Sequence, residues 1–78
     1  MEMDSSTRTI YIPLLEEGTP VARPTQAISL GGDVFRVLAT SDYDPTNETW
    51  QYPPGTIVRC AREARGGEEI WVAFAQIG

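Results

Sequence analysis

Ser41–Arg59 reads SDYDPTNETWQYPPGTIVR, and the fold turns on whether this stretch is a regular element or a connection. It gathers acidic residues (Asp42, Asp44, Glu48), aromatics (Tyr43, Trp50, Tyr52) and prolines (Pro45, Pro53, Pro54) without any repeat. Proline lacks a backbone donor and disfavours a helical residue before it, so Asp44 and Tyr52 are pushed to extended conformations. The stretch is therefore read as an ordered loop pinned by its own aromatics. The chain on either side is read as the strands that hold it.

Working outward, the pattern before the loop alternates. Ile10, Ile12 and Leu14 point one way and Thr9, Tyr11 and Pro13 the other, the period of a half-buried strand. A second strand is expected over 21–30 with a bulge or bend at Pro24, and with Gln26, Ile28 and Leu30 on one face. Gly31, Gly32 and Asp33 signal a hairpin into a third strand, 34–39, with Phe35 and Val37 sharing a face. After the loop, Gly55 releases the chain into a fourth strand, 56–62, where Val58 and Cys60 share a face. Arg65, Gly66 and Gly67 turn it into a fifth, 69–77. That last strand, EIWVAFAQI, is apolar on both faces; Ile70, Val72 and Phe74 are assigned to the core. Residues 1–6 are polar and without period and are read as a disordered tail. No helical period is sustained anywhere. The expectation is one all-β domain over 7–78: a small five-stranded antiparallel SH3-like barrel or roll, with an OB-like barrel second.

Composition bounds the function. At 78 residues the chain makes one small core. A net charge of −5 disfavours nucleic acid, because phosphate binding needs several cations converging on one face. There is one cysteine, Cys60, and no histidine, so neither an intramolecular disulfide nor a Cys/His metal or catalytic pair can form. No apolar run approaches the ~20 residues of a membrane helix, and no secretion signal opens the chain, so a soluble, cytoplasmic protein is expected.

Two groups of residues could carry function. In the acidic group, Asp44 is expected to make an Asx-type turn into Pro45 and Thr46, with Glu48 solvated or paired to an arginine; this is preferred over a metal site, since the spacing is not that of a calcium loop. General acid–base chemistry would need a pocket that a chain this short hardly builds, and no catalytic residue is assigned. Cys60, mid-strand with no base, is read as a small buried core residue. In the aromatic group, Trp50 and Tyr52 fall on one side of an extended segment near Tyr43, and Tyr11 and Trp71 point away from the expected core faces. One tryptophan is expected in the core and the other in a surface cluster. Aromatics combined with prolines and a few charges are the composition of a protein- or peptide-binding surface.

VLATSDYDP, PPGTIVRC and GGEEIWVAF, in that order over 37–74, resemble the tyrosine motif, strand-opening glycine and tryptophan strand of SH3 domains. That resemblance implies that Tyr43 and Trp71 belong to a groove for proline-rich peptides. The closing proline-asparagine-tyrosine turn is missing, and one tryptophan stands where two are usual. IYIPLLEEG, V-x-R-P at Val21–Pro24 and Y-D-P-x-x-E-x-W-x-Y-P-P-G-x-x-V-x-C at Tyr43–Cys60 are similar to a group of short, uncharacterised single-domain bacterial proteins. It implies no activity or cofactor. The resulting expectation is a small non-catalytic bacterial interaction module without cofactor or metal, monomeric or dimeric through its last strand. A protein partner docks on Tyr43, Asp44, Glu48, Trp50 and Tyr52, with Tyr11, Arg23 and Trp71 at the margin. An SH3-type peptide binder, then a single-strand nucleic-acid binder using Arg23, Arg36 and Arg59, are the alternatives.

Overall fold

A computed structural model describes residues 7–78 as an all-β chain of six strands: β1 Thr7–Leu15, β2 Ala22–Gly31, β3 Val34–Val37, β4 Thr49–Trp50, β5 Ile57–Arg65 and β6 Glu68–Gln76. The tail expected over 1–6 lies outside the described residues. The strands form one mixed sheet in the order β2-β3-β5-β6-β1-β4, and β2 also pairs with β1. Five strands thus run in a ring, with β4 paired to the end of β1 at Leu14 and Leu15. All ladders are antiparallel except β1–β6, which is parallel and rests on the single pair Tyr11↔Val72. The sixth strand and the parallel seam correct the expected five-stranded antiparallel arrangement. Among the described residues no helix is long and apolar enough to cross a membrane.

Where the sequence alternates cleanly, its phase is the observed one. Ile10 and Ile12 of β1, Phe35 and Val37 of β3, and Val58 and Cys60 of β5 all point into the ring and are buried. Each fully buried aliphatic or aromatic side chain stabilises the fold by about 1.5–3 kcal/mol. The chief buried polar side chain, Thr25, donates its hydroxyl to the Leu38 carbonyl at 2.6 Å, as a buried donor must. Gly55, at φ 93°, makes the turn after the two prolines, and its N–H donates to the Val37 carbonyl at 2.8 Å.

Two expectations are corrected. The β1–β2 register passes through Tyr11↔Pro24 without a shift. Pro13 turns its carbonyl away from β2, accepting from the Gln51 N–H, and Gln26 likewise turns its carbonyl away from β1, accepting from Leu38. Alternation puts Pro24 in the phase of Gln26, so its missing donor costs that ladder nothing. The irregularity of β2 falls instead between Ser29 and Gly31, leaving Leu30 as the extra residue.

The core face of β6 is also the other one. Trp71 and Ala73 face the ring interior, Val72 is buried outside the main cluster, and Phe74 is 54% exposed. The register steps from Arg59↔Ala75 to Cys60↔Ala73, so Phe74 is a bulged residue. A strand that is apolar on both faces carries no period from which its phase could be read.

Candidate interaction site

The loop is held from Asp44 upward. Its carboxylate accepts the Thr46 N–H at 2.9 Å and the Thr46 hydroxyl at 2.6 Å, while its carbonyl accepts the N–H groups of Asn47 and Glu48. This is the expected Asx turn. The Thr46 hydroxyl, then its N–H, hold the Asp44 carboxyl below its ordinary pKa. The turn delivers Glu48 to Arg23 of β2, as expected of an arginine partner. Arg23 Nε donates to Glu48 Oε1 at 2.9 Å and Nη2 to Oε2 at 2.6 Å, a two-pronged match of guanidinium and carboxylate. Glu48 Oε1 also accepts the Trp50 indole N–H at 2.8 Å. Arg23 first, and Trp50 second, lower the Glu48 pKa by hydrogen bonding.

These bonds fix Trp50 as the register partner of Leu14. Its ring packs edge-on against Tyr43, with centroids 4.7 Å apart. Trp50 and Tyr52 are 4% and 6% exposed, so the structure places them in the core. This corrects their assignment to a contact face: they support the loop from beneath. Tyr43, Asp44 and Glu48 keep part of their surface, and Arg23 is exposed. Arg23, Asp42, Asp44, Asn47 and Glu48 line a cleft of about 180 Å³. Among the described residues no cluster of three or more Cys, Asp or Glu could hold a metal ion.

Tyr11 and Trp71, the two aromatics at the margin of the expected face, meet elsewhere. They line an open groove of about 490 Å³ together with Arg8 and Thr9 of β1, Arg62 of β5, and Glu68, Glu69 and Ile70 of β6. Trp71 is partly buried, tilted against Phe35 with centroids 5.6 Å apart. Two guanidinium groups lie over its ring, Arg62 at 4.9 Å from the centroid and Arg8 at 5.8 Å, within cation–π range. Arg62 also donates to Glu69 at 3.2 Å. The groove shares no lining residue with the loop cleft, and Tyr43 does not line it. Tyr43 and Trp71, one groove pair under the SH3 resemblance, are thus committed to different neighbours.

Arg8 and Arg62 escaped the sequence reading. Arg62 was within reach: counting outward from the Gly66–Gly67 turn gives Arg65↔Glu68 and, three steps on, Arg62↔Trp71. Cys60 is 1% exposed, and burial, aided by the charge of Asp33, pushes its thiol up to about 11. A thiol held protonated at neutral pH is a poor nucleophile. Compared with protein-family models, with curated proteins and with solved structures, the chain matches none.

Proposed function

We propose that the chain is a small non-catalytic protein-interaction module, an SH3-like five-stranded barrel that docks a peptide segment of a partner protein in the groove of Trp71 and Tyr11. One observation carries the reading: a partly buried tryptophan floors an open groove of about 490 Å³, beside a tyrosine and under arginines from two strands. Tryptophan, tyrosine and arginine are the side chains that concentrate binding energy at protein interfaces. The groove is lined by both signs of charge, which suits a peptide of mixed polarity. The loop face serves as a buttress, because Asp44 and Glu48 spend their acceptors on Thr46, Arg23 and Trp50. Base stacking on Trp71 is disfavoured, since the net charge of −5 and the groove's own Glu68 and Glu69 repel a phosphate backbone.

The test is selection from a random peptide library on the intact protein, followed by mapping of a selected peptide by amide and indole NMR shifts. Shifts centred on Tyr11, Arg62 and the Trp71 indole, lost in a folded Tyr11→Ala, Arg62→Glu variant, are expected. Shifts centred on Tyr43 and Asp44 would return the docking face to the loop. Selection of no peptide would overturn the reading.

A further inference from the structure

The Trp71 groove is lined by residues consecutive in sequence, Arg8 and Thr9 of β1 and Glu68, Glu69, Ile70 and Trp71 of β6. Side chains alternate between the two faces of a sheet, so a hollow on one face takes every second residue. A hollow that takes them in succession lies in the plane of the sheet, between two strands. Here those strands run parallel and meet only at Tyr11↔Val72. Among the described residues no register pair continues from there toward Thr7 and Glu68. The groove is thus the open part of a seam, with β2 on the far edge of β1 and β5 on the far edge of β6.

The backbone groups aimed into this seam follow from the ladders on either side of it. Gly66 and Gly67, at φ 58° and 82°, make a two-residue hairpin turn that Arg65 and Glu68 close by hydrogen bonding. Bonded pairs alternate along an antiparallel ladder, so Glu63↔Ile70 and Ala61↔Val72 are bonded as well. Glu69 and Trp71 therefore turn their N–H and C=O groups away from β5, toward β1. The Cys60 N–H has the matching phase, since it donates to the Asp33 carbonyl on the side of β5 away from β6. On β1, Pro24 has no N–H for Tyr11, and alternation then turns Thr9, like Tyr11, toward β6. Tyr11 meets β6 there; Thr9 and Glu69 face the opening without a ladder partner among the described residues. An unpaired strand edge is a template for a further strand.

We propose that the groove takes its peptide as a β-strand: an extended, proline-free segment of a partner protein that hydrogen-bonds to the Glu69 edge of β6. This rests on the peptide-docking reading above and specifies the form of the ligand. Alternate side chains of the added strand fall on the two sides of the sheet. One set lies against Trp71 and the Arg8 and Arg62 guanidinium groups, the other beside Tyr11 and Ile70. A polyproline helix has no backbone donors and cannot make these bonds. A second folded copy does not fit either, since each of its ring strands already has a neighbour on both sides and none is free to enter the seam.

The probe is a capped heptapeptide of alternating Val and Thr, with two copies N-methylated at every second amide, one copy for each edge of the strand, and an all-proline heptapeptide. Added to isotope-labelled protein, the unmodified peptide should shift Tyr11 and the Trp71 indole and slow hydrogen exchange at the Glu69 amide. Glu68 and Ile70, already bonded to β5, should exchange as before. At least one methylated copy should bind about tenfold more weakly. Glu69→Pro should abolish binding and Glu69→Ala should keep it, because proline there removes only a donor that β5 does not use; circular dichroism checks that both variants are folded. Groove shifts without slower exchange at Glu69, or equal affinity of the unmodified and both methylated peptides, would overturn strand addition while leaving the groove a peptide site. So would binding of the proline peptide alone. If none of the four peptides shifts Tyr11 or Trp71, both readings fall. A Glu69 amide already slow to exchange in the free protein would mean that the chain itself fills this edge, and would overturn the proposal as well.

Discussion

Trp50 and Trp71 lie toward opposite ends of β1, the first opposite Leu14 and the second beneath Arg8. Trp50 is sealed: its indole N–H is bonded to Glu48, its edge covered by Tyr43, and its accessible surface nearly gone. Trp71 keeps one side on Phe35 and gives the other to a groove guarded by mobile-length arginine side chains. The same residue type closes one end of the sheet and leaves the other available. The difference lies in the partners. A carboxylate fixed by a two-pronged ion pair holds a ring in one place, whereas guanidinium groups over a ring hold it weakly and can be displaced.

The sharpest way to break this contrast is truncation. Trp50→Ala should cost about 3–5 kcal/mol, a large share of the ~5–15 kcal/mol available to a small domain, and urea melts should show the variant partly or wholly unfolded. Trp71→Ala should cost only about 1–2 kcal/mol. Equal losses would mean that both rings are core. Next in size, Glu48→Ala should lose about 1–2 kcal/mol. A double-mutant cycle with Arg23→Ala should show that much of this is shared.

Acid sharpens the contrast further. The native pKa of Glu48 is depressed, so its contribution is complete above its unfolded value, about 4.3, and is lost as pH falls through the lower native value. Melting temperature should therefore drop with acidification below that point, and Glu48→Gln should flatten the drop. The smallest effect belongs to the other end: Arg62→Met should change stability by under about 1 kcal/mol. In a Trp50→Phe background it should also raise the accessibility of Trp71 to acrylamide. A Trp71 as protected from quencher as Trp50 would end the comparison.

Strands whose two faces differ in polarity were legible in the sequence. Ile10 and Ile12, Phe35 and Val37, Val58 and Cys60 are separated by polar or charged residues, so one period assigns them to the interior. β6 offers no such contrast; its phase follows the unbroken register from the Gly66–Gly67 turn, Arg65↔Glu68 to Cys60↔Ala73, and the bulge at Phe74 shifts it only beyond Ala73. The Asx turn at Asp44 was legible because it is local. The ion pair that completes the loop joins Arg23 to Glu48 across the fold, and no local signal names Arg23 over another arginine. The burial of Trp50 and Tyr52 left a faint trace, since Thr49, Trp50, Gln51 and Tyr52 alternate polar and apolar. The prolines on both sides obscured it. Arg8 and Arg62 joined the candidate site only through register.

The single parallel pair Tyr11↔Val72 has a consequence for the order of assembly. Every other ladder of the ring joins strands adjacent in sequence or separated only by the loop, whereas this one spans nearly the whole described chain. Closing so long a span gives up chain entropy before any contact returns it. Hairpins β1–β2 and β5–β6 can therefore form early and separately. The ring shuts last, with β1 paired on that edge only at its β4 end until β6 has been synthesised and delivered to the rest.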